Sequence, residues 1–181
     1  MSRYVAFLRG MNVGGHRLTN EELCAHFAAM GLREVHTFRA SGNVVFAADE
    51  HTPQAVQERI EGGLAQALGY AVPTFIRAAE EVLSIASQRP FADEHVQASK
   101  GKLQVALLSG APHAEAQREV LAMAGAGDRL SFGERELYWL PIGGLLESPI
   151  ETKDVERHLG SMTVRTKNTV EQIAGKYLDG G

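Results

Sequence analysis

The residues best suited to chemistry lie in one short stretch near the start of the chain. It follows the apolar run Tyr4 to Leu8 and combines an arginine with an asparagine and a glycine-rich loop. A guanidinium group can clamp a phosphate or a carboxylate with two parallel hydrogen bonds. The backbone N–H groups of a glycine loop can form an anion-binding nest. We therefore interpret this stretch as a ligand-binding loop with the candidate residues Arg9, Asn12, Gly14 and Gly15.

Each of these residues also has a structural interpretation. Arg9 could pair with a carboxylate of the same protein, since arginine is often retained in buried ion pairs. The glycines could simply permit a positive φ in a turn. Gly10 and Gly15 have the spacing of a phosphate loop, but His16 and Arg17 stand where that loop needs Lys and Ser or Thr. The sequence therefore excludes a Walker-type nucleotide hydrolase.

Two further segments carry candidate ligand-binding residues. The run Ser41, Gly42, Asn43 has the composition of a tight turn, and Ser41 and Asn43 are our candidates there. Arg165 and Asn168 come just before the last predicted helix. Asn168 and Glu171 have capping-box spacing, whereas an uncapped helix start would be an anion site. Both interpretations of Asn168 stay open at this point.

Catalytic and metal-binding patterns are sparse. Ser41 has no assignable histidine and acid partner and no G-x-S-x-G elbow around it, and Cys24 lies within a predicted helix as a small core residue would. The seven histidines show no H-x-H or H-x-x-x-H pairing. We therefore assign no catalytic residue, no metal and no cofactor. Of Tyr138 and Trp139, we expect one to face the core; the other could face outwards and stack on a base, but core packing is the more frequent outcome for such a residue.

The first 78 residues predict the order strand, helix, strand, strand, helix, strand. We place the strands at 4–8, 35–40, 44–47 and 72–77, and the helices behind Thr19 and Thr52. Thr19 with Glu22 forms a capping box, Pro53 suits a first helical position, and Pro73 places the fourth strand at an edge. This order is the split βαβ, or ferredoxin-like, unit. Its first and third strands are central, and here these two are apolar throughout.

The pattern repeats after a connecting helix at 80–88 and a polar stretch at 92–101 that we interpret as a loop. Strands are predicted at 103–108, 129–132, 137–140 and 162–165, with an irregular insertion at 142–148. Val170, Ile173, Ala174 and Tyr177 mark a final helix at helical spacing. We predict an α+β fold of two ferredoxin-like (βαββαβ) repeats packed into one compact protein, with residues 1–78 and 102–181 as repeats and 79–101 as connection.

Topology brings two of the candidate segments together. In a ferredoxin-like sheet the first strand runs parallel to the second, so both finish at the same end. The loop after the first strand and the Ser41 turn should therefore converge, which favours a binding site there.

Three segments resemble the signature motifs of the bacterial domain-of-unknown-function family 1697. They are residues 8–15, 40–46 and 165–170. The resemblance covers essentially the whole chain and implies two ferredoxin-like halves, without an activity. Two positions depart from the family pattern: His16 replaces the usual lysine, and Lys167 replaces a tryptophan, which adds a positive charge where the family has an aromatic ring.

Composition sets the outer limits on function. The chain has 181 residues, 44% of them hydrophobic, and a formal net charge of −4, which argues against bulk nucleic-acid binding but not against a local basic site. No apolar run is long enough to cross a membrane and no signal peptide is evident, so we expect a cytoplasmic protein. Our first hypothesis is a binding protein for a small anionic ligand or a nucleic-acid segment. An enzyme using the same pocket through His16 or Ser41, and a structural or partner-binding module, remain as alternatives.

Overall fold

The chain folds into α-helices and two antiparallel sheets. The computed structural model describes residues 1–11, 15, 17–39, 42–125 and 127–180. Within these residues there are seven α-helices and two four-stranded sheets. The chain divides into two compact units, Met1–Ile85 with Ile173–Gly181, and Ala86–Gln172. None of the helices in the described ranges combines the length and the apolar character needed to cross a membrane.

The first unit is built around a sheet with the strand order β2-β3-β1-β4. Its elements are β1 Ser2–Leu8, α1 Asn20–Ala29, β2 Arg33–Thr37, β3 Asn43–Ala48, α2 Pro53–Leu68, β4 Thr74–Ala78 and the start of α3 Ala79–Ser87. β1 lies antiparallel between β3 and β4. The predicted order of elements is confirmed, as are the central positions of the first and third strands and the edge position of the fourth.

Local signals in the sequence set the ends of the first two helices. Thr19 Oγ1 accepts a hydrogen bond from the Glu22 backbone N–H at 3.1 Å, and Glu22 Oε2 accepts one from the Thr19 backbone N–H at 2.8 Å. This reciprocal pair is the predicted capping box. Thr52 caps α2 with Pro53 in its first turn, and α2 ends at Gly69 with a left-handed φ of 81°.

One face of the first sheet carries the hydrophobic core of the unit. Helices α1 and α2 pack on it through Leu23, Phe27, Val56, Ile60 and Leu64, all with no exposed surface. Alternate residues of the central strands, including Ala6 and Phe46, meet them. Each such side chain stabilises the fold by about 1.5–3 kcal/mol through burial. This core fixes β1 and therefore the point where the loop after it begins.

Three boundaries in this part of the chain differ from the predictions. β2 covers Arg33–Thr37 rather than 35–40. A bulge lies between Arg33 and His36, where Glu34 has a φ of 50°, and Arg39, inside the predicted range, has a left-handed φ of 58°. β4 begins at Thr74, after Pro73 and not around it. The polar stretch after residue 92 contains the short helix α4 Asp93–Ala98, which has no buried residue. A helix is usually predicted from a stripe of apolar residues at helical spacing. Because α4 has no such stripe, the sequence did not predict it.

The second unit repeats the same sheet plan with the order β6-β7-β5-β8. Besides α4, its elements are β5 Gln104–Leu108, α5 Ala114–Ala122, β6 Arg129–Phe132, β7 Glu136–Leu140, α6 Thr152–Leu159, β8 Met162–Thr166 and α7 Lys167–Ile173. The predicted insertion contains a 3-10 turn at Leu145–Glu147. The hydrophobic core of the second unit contains Ala106, Leu137, Trp139 and residues of α5 and α6.

The pairing within the two sheets matches position by position. In the first sheet Val5 pairs with Val45 and with Arg77. In the second sheet Val105 pairs with Tyr138 and with Arg165. Arg77 and Arg165 therefore occupy equivalent positions in the last strand of each sheet.

Asp128 fixes the insertion of the second unit. Its carboxylate accepts hydrogen bonds from Trp139 Nε1 at 3.0 Å, from the Ile142 backbone N–H at 2.9 Å and from Ser148 Oγ. Core packing is confirmed for Tyr138 and Trp139, since both are buried, at 2% and 0% exposed, and neither ring faces outwards. The indole N–H satisfies its hydrogen bond through Asp128, which lies 11 residues away and gives no local signal.

The end of the chain departs from the predicted continuous helix. After α7 the backbone forms a π turn at Ala174–Leu178, and the Asp179 N–H donates to the Ala174 carbonyl five residues earlier. A π turn contains more residues per turn than the 3.6 of an α-helix, so the next buried residue after Ala174 is Leu178. Tyr177, predicted on the inward stripe, is half-buried instead.

Candidate functional site

The loop after β1 and the β2–β3 hairpin meet at one end of the first sheet. The Leu8 backbone N–H donates to the Gly42 carbonyl oxygen at 2.8 Å. Gly42 has a φ of +77°, and a Cβ at this position would lie 3.1 Å from Leu8 Cβ and 3.2 Å from Met11 Sδ. Glycine is thus required here both for its backbone conformation and for the close approach. The two segments converge as the topology predicts.

One further segment, the connection between α2 and β4, holds the loop in place. The Tyr70 hydroxyl donates to the Met11 carbonyl at 3.2 Å, and the Arg9 backbone N–H donates to the Pro73 carbonyl at 2.9 Å. Tyr70, the donor of the first bond, and Pro73, the acceptor of the second, both belong to the connection between α2 and β4. The loop after β1 is therefore tied to the hairpin on one side and to this connection on the other.

Arginines gather around this end of the sheet. Arg9 and Arg17 flank the loop, and Arg39 lies in the hairpin with a left-handed φ of 58°. All three are exposed. The Arg39 guanidinium carbon lies 5.4 Å from the centre of the Phe38 ring, and the Arg39 carbonyl accepts a hydrogen bond from Asn20 Nδ2 at 3.2 Å. The last bond joins the hairpin to the start of α1.

The N-terminus of α1 is closed by its own side chains. The hydrogen bonds from the backbone and the hydroxyl of Thr19 lower the pKa of Glu22 below its usual range. A carboxylate therefore already occupies the position at which a helix N-terminus would receive an anion. This helix start is therefore not a candidate anion site.

The predicted site residues of the first unit have different surroundings. Gly15 is exposed, with a φ of +83° and open space around the position of a Cβ. Asn43 is fully buried, and its Nδ2 donates to the Phe38 carbonyl at 3.0 Å. Its side chain closes the hairpin rather than facing outwards. Asn12, Gly14 and Ser41, together with His16, lie outside the described residues.

Arg165 belongs to the second unit and is largely desolvated there. Its Nη1 donates to Thr163 Oγ1 at 2.8 Å and to the Val164 carbonyl at 3.0 Å. Burial lowers its pKa to about 10, so it stays charged at neutral pH. Arg77 is the equivalent arginine of the first sheet, 1% exposed, and its Nη1 donates in the same way to the Ile76 carbonyl at 3.0 Å. This shared arrangement favours a structural role for both side chains.

Asn168 does not cap the last helix, so that prediction was wrong. α7 begins at Lys167, two residues before the start that a cap at Asn168 implies, and Thr166 Oγ1 accepts the hydrogen bond from the Thr169 backbone N–H at 3.2 Å. Glu171 instead accepts a hydrogen bond from Lys167 Nζ at 2.7 Å. Asn168 itself is exposed. Thr and Asn are both good caps, and tertiary structure decided which of them took the position.

Two residues of this end of the sheet were missed by reasoning from the sequence. Arg39 stands two residues before Ser41, the first residue of the predicted turn, and this position was a usable signal. Tyr70 lies 59 residues from Met11, to which it bonds, and offers no local signal. Among the residues that the structure describes, no three His, Cys, Asp or Glu side chains come together as metal ligands could.

Comparison with known proteins places the chain in a family. No curated protein sequence matches it. Its fold is similar to that of the conserved bacterial protein SP0830 from Streptococcus pneumoniae, with a TM-score of 0.71, 17% sequence identity and 97% of each chain covered. The model of the family described as "Protein of unknown function (DUF1697)" matches residues 1–138, which include the whole loop and hairpin. The chain belongs to this family.

Proposed function

We propose that this protein binds an anionic ligand at the end of the first sheet where the loop after β1 meets the hairpin. The ligand carries a phosphate or carboxylate group, either on a small molecule or on a nucleic-acid segment. The observation that carries the proposal is the convergence of the two segments, with Gly42 packed against Leu8 and Met11. Such an approach fixes the backbone from which the arginines project.

The proposed roles follow from chemistry. Arg9 is the charged clamp, because a guanidinium group matches the two oxygens of a phosphate or carboxylate. Asn12, Gly14 and Gly15 supply the backbone cradle, and Arg39 adds a second charge from the hairpin. The exposure of Arg9 argues against a fully buried ion pair as its role. Ser41, Asn43, Arg165 and Asn168 stay predictions from the sequence, and the proposed site in the first unit does not depend on them.

We further infer that each sheet with its helices is a ferredoxin-like unit and that the protein works in the cytoplasm. The identical strand orders and the equivalent pairing around Val5 and Val105 support the ferredoxin-like interpretation. Such units host many functions, so the proposed function rests on the loop and not on the fold.

A thermal-shift experiment tests the proposed function. The ligands are inorganic phosphate, nucleoside monophosphates, sugar phosphates, carboxylates and an eight-nucleotide RNA. The proteins are the wild type, Arg9→Ala and Arg118→Ala, where Arg118 is an exposed arginine of α5 in the second unit and provides a control with the same change in charge. A ligand at about a hundred times its dissociation constant stabilises by ~2.7 kcal/mol, which raises the melting temperature by a few degrees.

The expected result is a shift in the wild type and in Arg118→Ala that disappears in Arg9→Ala. A shift that persists in Arg9→Ala would remove the loop from the binding site. An absence of any shift, together with a large fall in the melting temperature of unliganded Arg9→Ala, would make Arg9 a structural residue and would favour a partner-binding module.

A further inference from the structure

An aromatic cluster lies beside β2 in the first unit. The ring of Tyr177 is stacked on His36, with 5.5 Å between ring centres and 20° between ring planes. Phe38 meets the same ring edge-on at 6.4 Å, and the Tyr177 hydroxyl donates to the Thr37 carbonyl at 3.5 Å. Tyr177 and Phe38 are half-buried, whereas His36 is exposed. The cluster is thus held by the protein on one side and open to solvent on the other.

An unusual backbone turn positions Tyr177. It lies in the π turn Ala174–Leu178, and Arg3 Nη1 donates to the Tyr177 carbonyl at 2.9 Å. π turns are rare and occur frequently at functional sites. A regular helix would carry residue 177 on the buried stripe with Ile173 and Ala174. The π turn buries Leu178 instead and leaves Tyr177 beside His36.

Positive charges surround the cluster. Lys176 Nζ lies 5.2 Å from the centre of the Tyr177 ring, and Arg39 lies over Phe38. Arg3, Glu34, His36, Lys176 and Tyr177 line a cleft of about 310 Å³, which we call the Tyr177 cleft. Glu34 is paired with Arg3 at 3.3 Å, and Lys176 and Arg39 bring two further cations to the rings of the cluster.

We infer that the Tyr177 cleft is a base-stacking platform for single-stranded nucleic acid. The inference rests on the proposed function, since the same strand would place a phosphate at Arg9. Aromatic rings interleaved with cations are the chemistry that recognises unpaired bases and their backbone. A base placed on the exposed side of His36 extends the stack that Tyr177 begins. Lys176 and Arg39 then lie where the phosphates pass.

The dimensions suit a short strand. His36 and Arg39 are three residues apart in the chain, so their Cα atoms lie at most about 11 Å apart. Three stacked nucleotides cover about the same length at ~3.4 Å each. The Phe38 backbone N–H donates to the Asn43 carbonyl at 2.9 Å and the Leu8 backbone N–H to the Gly42 carbonyl at 2.8 Å, so the hairpin connects the cluster to the loop. An oligonucleotide can therefore span both places, whereas a mononucleotide can occupy only one of them.

The test measures the fluorescence anisotropy of a labelled eight-nucleotide single-stranded RNA. The variants are Tyr177→Leu, which keeps an apolar side chain but removes the ring, Tyr177→Phe, which keeps the ring, and His36→Ala. His113→Ala is the matched control, because His113 is an exposed histidine of the second unit whose side chain makes no capping hydrogen bond. Far-UV circular dichroism and the melting temperature check that every variant is folded. Phosphate and a nucleoside monophosphate are titrated in parallel by thermal shift.

Loss of stacking weakens binding by about 5- to 150-fold per base. We expect a loss in this range for Tyr177→Leu and His36→Ala, and affinity close to that of the wild type for Tyr177→Phe and His113→Ala. Lys176→Gln should reduce the slope of log affinity against log salt by about 0.7, the value for one phosphate contact on a single strand.

The outcomes separate this inference from the proposed function. RNA binding that needs Arg9 but is unchanged in Tyr177→Leu and His36→Ala overturns the stacking platform and keeps the anion site. Binding of phosphate or a mononucleotide without binding of RNA does the same. No binding of RNA or of any small anion overturns both.

Discussion

Gly42 is the residue at which the convergence of loop and hairpin can be tested by one methyl group. Replacement by alanine has two costs. A left-handed backbone conformation costs an L-residue about 1–2 kcal/mol. The new Cβ would also lie 3.1–3.2 Å from Leu8 and Met11, and overpacking of this kind costs about 1–3 kcal/mol. We expect the free energy of unfolding to fall by about 2–5 kcal/mol in Gly42→Ala.

Gly69 supplies a matched control for the backbone term. It has a φ of +81°, close to the +77° of Gly42, but a Cβ there would meet no atom within 4 Å. Gly69→Ala should therefore cost only about 1–2 kcal/mol. The difference between the two variants isolates the close approach of the hairpin to the loop.

Urea unfolding followed by far-UV circular dichroism measures both free energies. Gly42→Ala should also bind the ligand of the loop more weakly, because the loop must move away from the new methyl group. If Gly42→Ala costs no more than Gly69→Ala, the hairpin does not press against Leu8 and Met11, and the geometric basis of the site is wrong.

Other predictions concern the second unit. Asp128→Ala leaves the donors of Trp139 and Ile142 without their buried acceptor and should cost about 3 kcal/mol in urea unfolding followed by tryptophan fluorescence. Burial raises the pKa of Asp128, but its hydrogen bonds outweigh burial and hold the pKa below the usual value. Its contribution is therefore full above about pH 4 and is lost as the pH falls through the lower folded pKa. This pH dependence should be absent in Asp128→Ala. Thr166→Ala removes a helix cap and should lower the free energy of unfolding by about 1 kcal/mol. Asn168→Ala should change the free energy of unfolding by less than about 0.5 kcal/mol. A larger loss for Asn168→Ala than for Thr166→Ala would make Asn168 the cap.

Short-range chemistry made much of the fold predictable. The capping box of Thr19 and Glu22, the start of α2 at Pro53 and its end at Gly69 are each decided by residues within one or two turns. The apolar runs of β1 and β3 reflect strands with neighbours on both sides and on both faces. The convergence of the loop with the hairpin followed from these elements and their order.

Contacts between distant residues account for what could not be predicted. Asp128 bonds to Trp139 and Ser148 across a hairpin, and Tyr177 stacks on His36 from the far end of the chain. Neither pair has a periodic pattern that would reveal it. The π turn shifts the buried stripe from residue 177 to Leu178, and the bulge at Glu34 interrupts the pairing of β2; neither is signalled by the spacing of apolar residues.

The most direct test of the anion site is a titration of isotope-labelled protein with inorganic phosphate and a nucleoside monophosphate, followed through backbone amide chemical shifts. The account predicts saturable shifts concentrated at Arg9, Met11 and Gly15 in the loop and at Arg39 and Gly42 in the hairpin, all of which disappear in Arg9→Ala. Saturable shifts confined to other parts of the chain, or shifts at the loop that persist in Arg9→Ala, would contradict it.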